Sequence, residues 1–382
     1  MRPIYLDHHA TTPADKRVVD AMLPFLNEKF GNASSSNHVH GTEAKNAVEQ
    51  GRQRIADLIG ARSKEIIFTS GATEADNMAL IGLIDPKEIS SSHIISSAIE
   101  HKAVLNTLKY MRKLGAEITL LPVDEHGFVN IDELQEHIQE NTKLISVILA
   151  NNEVGTIQDF KAISEIAQDN DIRFHTDAAQ ALGRIDIDVR ETPISMMSLS
   201  AHKIYGPKGI GALFINQDRP RVKLHPILFG GGQEKNLRAG TLNVPGIVGF
   251  GEATRLMKME YSKNHEKMIQ YRNLFLKGLK NQKYIINGPE ERLAHNLNLW
   301  FPNVEAQALI KLISKYVSLS TGSACTTDVV EPSHVLMAMF NDEKRAYESI
   351  RIGFGKDNTK EDIIQAAEVV RQGLEHLRNI FT

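Results

Sequence analysis

Five short polar clusters in this chain each follow an apolar run, and together they hold the residue types of one kind of chemistry. EIIFTS leads to GATEADN, where Ala72 and Thr73 open a helix behind Gly71. HIISSAI leads to Glu100-His101, and LISVILA to Asn151-Asn152. IRFHT ends in Asp177 with Gln180 just beyond, and ISMMSLS ends in Ser200, His202 and Lys203. In an open parallel sheet, ligands bind beyond the carboxyl ends of the strands, so these five points share one face. A lysine amine of lowered pKa forms a Schiff base with an aldehyde. Pyridoxal 5'-phosphate needs such a lysine, an acid opposite its ring nitrogen and donors around its phosphate.

On that reading Lys203 carries the Schiff base and Asp177, as an anion, keeps the ring nitrogen protonated. His101 stacks on the ring, Gln180 or Asn152 holds the phenolic oxygen, and Thr73, Ser200 and His202 hold the phosphate. Backbone N–H groups at Ala72 and Thr73 add the donors of a helix start. Each residue also has a plainer reading. SGAT serves equally as a strand-to-helix cap, and Asp177 as an N-cap. His101 fits a surface position at a helix start, and Lys203 has Lys208 as a near rival among solvated lysines. Five strand ends carrying such residues at once favour the chemistry over any one plain reading.

The sole cysteine, Cys325, stands apart from these five in SLSTGSACTT. A lone free cysteine is usually a core filler. Here it follows the strand-like YVSLS in about ten residues of small polar loop, long enough to suggest a functional connection. Gly322 and its small neighbours would let that loop swing and present the thiol.

The elements that must position these residues follow from periodicity. From about Glu43 to Asn216, seven apolar runs (EIIFTS, HIISSA, EITLLP, LISVILA, IRFHTD, ISMMSLS and GALFIN) alternate with helical segments. That pattern predicts an α/β fold with a mostly parallel seven-stranded sheet between helices. The last two runs are joined only by HKIYGPK, which predicts an antiparallel pair at one edge. EATRLMKMEYSKNHEKMIQYRNLFLKGL reads as a long connecting helix. Beyond it YIING, NLNLWF, AQALIKLIS, YVSLS, SIRIGFG and a last helix read as a smaller α+β domain. That last helix has Asn358, Thr359 and Asp362 as capping candidates and an apolar stripe of Ile363, Ala367, Val370, Leu374 and Leu377. The expected division is residues 13–255 for the large domain, with 1–12 and 256–382 forming the small one that carries the cysteine loop.

Length and composition bound the rest. At about 150 residues per domain, 382 residues suit two domains. A net charge of −3 argues against a nucleic-acid footprint or a membrane-surface helix. A single cysteine forms no intrachain disulfide, which fits a reducing, cytoplasmic setting. The N-terminus, MRPIYLDHHATTP, has no apolar leader, and no run is long enough to span a membrane.

The motifs SGATEADN, EHKAV, NNEVG, TDAAQALG, SAHKIYGPKGIGAL, RAGTLNVPGIVG and TGSACTT resemble, in the same order, those of the cysteine desulfurases. This is the NifS/IscS branch of the class-V, fold-type-I pyridoxal-phosphate transferases, and the resemblance covers essentially the whole chain. It implies that Lys203 is the Schiff-base lysine and Cys325 the sulfur acceptor. It gives Thr73, Ser200, His202, Asp177, Gln180, Asn152 and His101 the roles above, and has Thr241 reach the phosphate from the other subunit of a homodimer. Arg351 of SIRIGFG matches the arginine that holds the substrate carboxylate, helped by Asn152; an ion pair within the fold is its plainer reading. The implied reaction turns L-cysteine into L-alanine and leaves a persulfide on Cys325, for iron–sulfur clusters or for tRNA or cofactor thiolation. In that reaction His101 would manage protons near the substrate sulfur.

No resident metal is expected, Cys325 serving at most as a transient iron–sulfur ligand. Asp7-His8-His9 matches the DHH triplet of metal-dependent phosphoesterases, yet no further acid-rich motif accompanies it and ATTP continues the desulfurase pattern. Gly230-Gly231-Gly232 suits a flexible stretch near a dimer interface better than a phosphate loop. Thr321 and Gly353 stand where the family commonly has serine, and Phe340 where it often has glycine. Longer relatives carry a C-terminal extension that docks an iron–sulfur scaffold, and this chain ends at Thr382, so scaffold or relay acceptors are left open. A selenocysteine lyase or aminotransferase of the same fold would not need Cys325. An idle sulfur-relay protein would not need Lys203, Asp177 and Arg351 together.

Overall fold

The computed structural model describes residues 2–218, 221–322 and 331–380, so the Cys325 loop expected above lies outside the described residues. In chain order the strands are β1 (Ile4–Tyr5), β2 (Ile66–Thr69), β3 (His93–Ser97), β4 (Glu117–Leu121), β5 (Thr142–Ser146) and β6 (Arg173–Asp177). They continue with β7 (Met196–Ser200), β8 (Gly211–Ile215), β9 (Ile285–Ile286), β10 (Asn296–Trp300), β11 (Val317–Ser318) and β12 (Ser349–Gly353). Seven of them form one sheet in the order β2-β8-β7-β6-β5-β3-β4.

Residues of β2, β3 and β8 divide between two cores by alternation, as the two-residue period of a strand requires. Ile66, Phe68, Ile95, Ala212 and Phe214 join one layer, with Val48 and Ile55 of the helix Val39–Leu58 and Phe250 of the helix Val244–Gly278. Ile67, Ile94, Leu213 and Ile215 join the other, with Leu80 of the helix Ala72–Leu83 and Leu108 of Lys102–Lys113. Both faces are covered, so the interior strands are almost wholly buried, polar residues such as His93, His175 and Ser198 included. The edge strand β4 is the most open, with Glu117 and Leu120 exposed.

The antiparallel pair expected at an edge is β7–β8, but β2 adds outside β8, also antiparallel. The short turn after β7 forces the chain straight back. The open edge of β8 then accepts β2, which places β8 one strand inward.

A third core gathers Leu6 with Phe275, Leu297, Leu299, Val317, Ile350, Ile352 and Leu374, so both ends of the chain contribute to it. Its strands form an antiparallel β9-β10-β12 sheet and a parallel β1–β11 pair. The helix Val244–Gly278 runs from the first core to the third. It starts eight residues before the segment expected from the sequence, because the Asn243 side chain accepts from Gly246 N–H (3.0 Å) and Pro245 suits a first turn. The last helix, Lys360–Ile380, opens with the reciprocal Thr359–Asp362 cap, at 2.9 and 3.0 Å.

Candidate active site

One cavity of about 1040 Å³ opens where the carboxyl ends of the parallel strands face the N-terminal segment and the end of β11. Ala72, Thr73, His101, Asn152, Asp177, Gln180, Ser200, His202, Lys203 and Arg351 all line it, as the sequence predicts. Thr241 does not line it; it is exposed on the segment before the long helix.

Lys203 closes a single tight turn, Ala201–Lys203, directly after β7. Its Nζ donates to the carbonyl oxygens of His9 (2.5 Å) and Ala10 (2.8 Å). Burial and the Arg351 charge pull its pKa down to about 8, against the pull of Asp177 and Asp7. A near-neutral amine is what nucleophilic lysine chemistry requires. Lys208 also borders the cavity but is exposed, while Lys203 is half-buried.

Asp177 ends β6 and is 4% exposed. Its Oδ1 accepts from Ala179 N–H (2.8 Å), so it steadies a turn and caps no regular helix. Burial raises its pKa, while His101, the Ala179 N–H and Lys203 lower it. His101 is indeed the N-cap of Lys102–Lys113, yet it faces the cavity. Its Nδ1 accepts from Ala103 N–H (3.1 Å), so the neutral ring carries its proton on Nε2. Burial lowers its pKa below the usual histidine value, against the pull of Asp177.

Glu100, its neighbour, turns away into the core. Its Oε1 accepts from Ser97 Oγ (2.5 Å) and Ile148 N–H (2.7 Å), and burial raises its pKa to about 8. Asn151 likewise serves the fold, its amide oxygen accepting from Glu153 and Val154 N–H. Asn152 instead borders the cavity.

At the other end of the cavity, Ala72 and Thr73 begin a twelve-residue helix whose free N–H groups and dipole favour an anion. Ser200 Oγ is buried and has no hydrogen-bond partner among the described residues. His202 Nδ1 contacts Thr11 Oγ1 (3.1 Å), and burial followed by the charge of Lys203 lowers its pKa to about 4.

Arg351, 6% exposed, sits on β12 with Nη2 donating to Asp7 Oδ1 (2.9 Å) and Nη1 to Asn152 O (3.2 Å). Both readings of this residue therefore meet in one place: it is paired within the fold and borders the cavity. Its Nε is buried without a partner among the described residues.

The sequence reading missed two residues. Asp7 Oδ1 accepts from Ser320 Oγ (3.0 Å) as well as from Arg351. His9 holds Gln180 at both ends: its ring Nδ1 is 3.2 Å from Gln180 Oε1, and Gln180 Nε2 donates to His9 O (2.9 Å). The signal lies in DHHATT, where the triplet reads as a metal motif without its companions and ATTP only as part of the family pattern. Among the described residues no group of three or more His, Cys, Asp or Glu is placed to hold a metal.

Fold and site together define an α/β enzyme class with a half-buried lysine where a sheet meets a second core. Residues 4–365 match the aminotransferase class-V family, and the chain belongs to that family. It is 46% identical over 380 residues to a Neisseria meningitidis protein named cysteine desulfurase IscS, covering 99% of this chain and 94% of that one. The solved structure of a NifS-like protein superposes with a TM-score of 0.87 at 36% identity, over 100% of this chain and 99% of the other. The structure titled SspA in complex with cysteine gives 0.81 at 37% identity, over 93% of this chain and 99% of that one.

Proposed function

We propose that this chain is a cysteine desulfurase, converting L-cysteine to L-alanine and passing the sulfur to Cys325 as a persulfide. The observation that carries the reading is the meeting, in one cavity, of a lysine of lowered pKa, a buried acid and a buried arginine. The residues present fit pyridoxal 5'-phosphate: an unpartnered buried hydroxyl at Ser200 and a helix start at Ala72–Thr73 suit its phosphate, and Asp177 suits its ring nitrogen. When bound, the cofactor supplies an aldehyde that captures amines and a ring that draws electrons from the substrate's α-carbon.

Lys203 would hold the cofactor through Nζ and, once freed, move the substrate's α-proton. His101 would hold the ring face and keep its Nε2–H available for the substrate sulfur. Gln180, fixed by His9, serves the phenolic oxygen. Thr73, Ser200 and His202 hold the phosphate, joined by the partner subunit's Thr241 in a homodimer. Phe229, 81% exposed near that segment, suits such an interface. Arg351 and Asn152 take the substrate carboxylate. The balance is simple: the carbon–sulfur bond breaks, a sulfur–sulfur bond forms at Cys325, and a proton replaces sulfur on the carbon that becomes alanine's methyl group.

In this reading residues 13–255 form the large domain, while 1–12 and 256–382 form the small one. A single cysteine suits a reducing, cytoplasmic setting, and no described helix is long and apolar enough to cross a membrane. The sulfur goes on to an acceptor protein for iron–sulfur clusters or thiolation.

The test is incubation of the cofactor-loaded protein with L-cysteine, with alanine quantified and persulfide mapped by mass spectrometry. Alanine with persulfide on Cys325, lost in Cys325→Ala, is the expected result. Equal alanine release by Cys325→Ala removes the role of that cysteine. Borohydride reduction that fixes the cofactor anywhere but Lys203 overturns the site.

A further inference from the structure

Behind the turn that carries Lys203 lies a second, much smaller cavity of about 30 Å³. A cavity needs only about 10–15 Å³ on this measure to hold one water, so the space suits one small solute. Its polar side chains are all potential donors. Arg184 Nε, Asn264 Nδ2 and His295 Nε2 are enclosed and have no hydrogen-bond partner among the described residues. Tyr205 Oη already accepts from Lys356 N–H (2.7 Å) and meets the Arg184 side chain, which leaves the phenol proton to give. Among the described residues no aspartate or glutamate lines the space.

The charges do not balance locally. Lys356 is neutralised by Asp15 and lies 3.8 Å from Glu260, while Asp357 acts on Tyr205. None of these acids pairs with Arg184. Its guanidinium donates through Nη2 to the carbonyl oxygen of Lys203 (2.7 Å), and burial lowers its pKa. A half-buried cation with its Nε enclosed and no counter-charge beside it is costly, and a neutral water would leave that cost in place.

We propose that this cavity is a binding site for one small monovalent anion of the halide class, held by Arg184, Asn264, His295 and Tyr205. The anion supplies the missing counter-charge, and His295 donates to it in the Nε2–H tautomer. Its ligands come from segments far apart in the chain, and the long helix, the Lys203 turn and the approach to β10 meet there. Through Arg184 the anion also steadies the main chain at Lys203, and binding it stabilises the folded protein by linkage.

The test uses the purified full chain at constant ionic strength, with chloride exchanged for gluconate, and crystals soaked in bromide. The expected result is a saturable rise in Tm of about 2 °C by 0.2 M chloride, with a bromide anomalous peak between Arg184 and Asn264. Asn264→Asp places a carboxylate in the cavity, so its Tm should no longer respond to chloride. Equal wild-type Tm in chloride and gluconate overturns the proposal, as does the absence of a bromide peak there, meaning water alone. A chloride response undiminished in Asn264→Asp also overturns it, because the anion then binds elsewhere.

Discussion

The two sides of the large cavity are built in opposite ways. One side is the end of the sheet, where Asp177 and Lys203 each lie within three residues of a buried parallel strand. The other side joins Asp7 to Ser320 and Arg351, each more than three hundred positions away, through a parallel pairing of two-residue strands and one shared carboxylate. The sheet side is fixed by core packing before any ligand arrives. The opposite side also seats Arg351 on a buried strand, but its guanidinium is oriented by ion pairing and hydrogen bonds, which a ligand's own charge can rearrange. Chemistry that needs an unmoving amine belongs on the first, and recognition of a charged substrate on the second.

The sharpest way to break this division is to remove the amine. Lys203→Ala should lower alanine formation by about a thousand-fold or more, the upper range for a positioned proton-transfer group. Removing Arg351 should instead show as binding. Arg351→Gln is expected to raise KM for L-cysteine about ten- to a hundred-fold, the value of one or two charge-assisted hydrogen bonds, with a smaller change in kcat. Steady-state kinetics decides both. A collapse of kcat with unchanged KM in Arg351→Gln would place the arginine on the chemical side and end the comparison.

The sheet side also has a cost that the opposite side does not share. Glu100 is fully buried beneath the cavity with its pKa raised to about 8 from 4.5. A carboxyl with a raised folded pKa favours the fold only at acidic pH; that contribution is lost as pH climbs from the unfolded value towards the folded one. Glu100→Gln keeps the acceptor for Ser97 and Ile148 while removing the ionisation. It should stabilise the protein by roughly 3 kcal/mol at pH 7, with a gain that grows between pH 4.5 and about 8 and fades below. Denaturant titrations across that range would expose the opposite trend, and a pH-independent difference would mean that Glu100 stays charged in the fold.

The same contrast explains what the sequence reveals. Residues at strand ends are legible because an apolar run announces the strand, and the turn after it must bear the ligand groups. Lys203, Asp177, His101 and Thr73 are read that way and line one cavity, and the seven-stranded sheet is legible by the same rule. The position of β2 was not legible, because pairing of a single strand outside β8 depends on which edge is left open. Asp7 and His9 were not legible as site residues either. Their partners Ser320, Arg351, Gln180 and Asn296 lie at least 171 residues away, and only the folding of both chain ends into one core brings them together.

Asp7 offers the finest test because it touches both sides. Its carboxylate pairs with Arg351, and its charge raises the pKa of Lys203 against burial. Asp7→Asn keeps an acceptor for Ser320 and Arg351 but removes the negative charge. Two consequences should appear together. Arg351 would present its full charge to the substrate carboxylate, so KM for L-cysteine should fall. Lys203, losing a charge that favours its protonated form, should titrate below its present value of about 8. In the proposed mechanism the freed, neutral amine moves the α-proton, so the acid limb of the pH–rate profile should move to lower pH. A lower KM with an unmoved limb would show that Asp7 acts on the arginine alone, and that the two sides of the cavity are electrostatically separate.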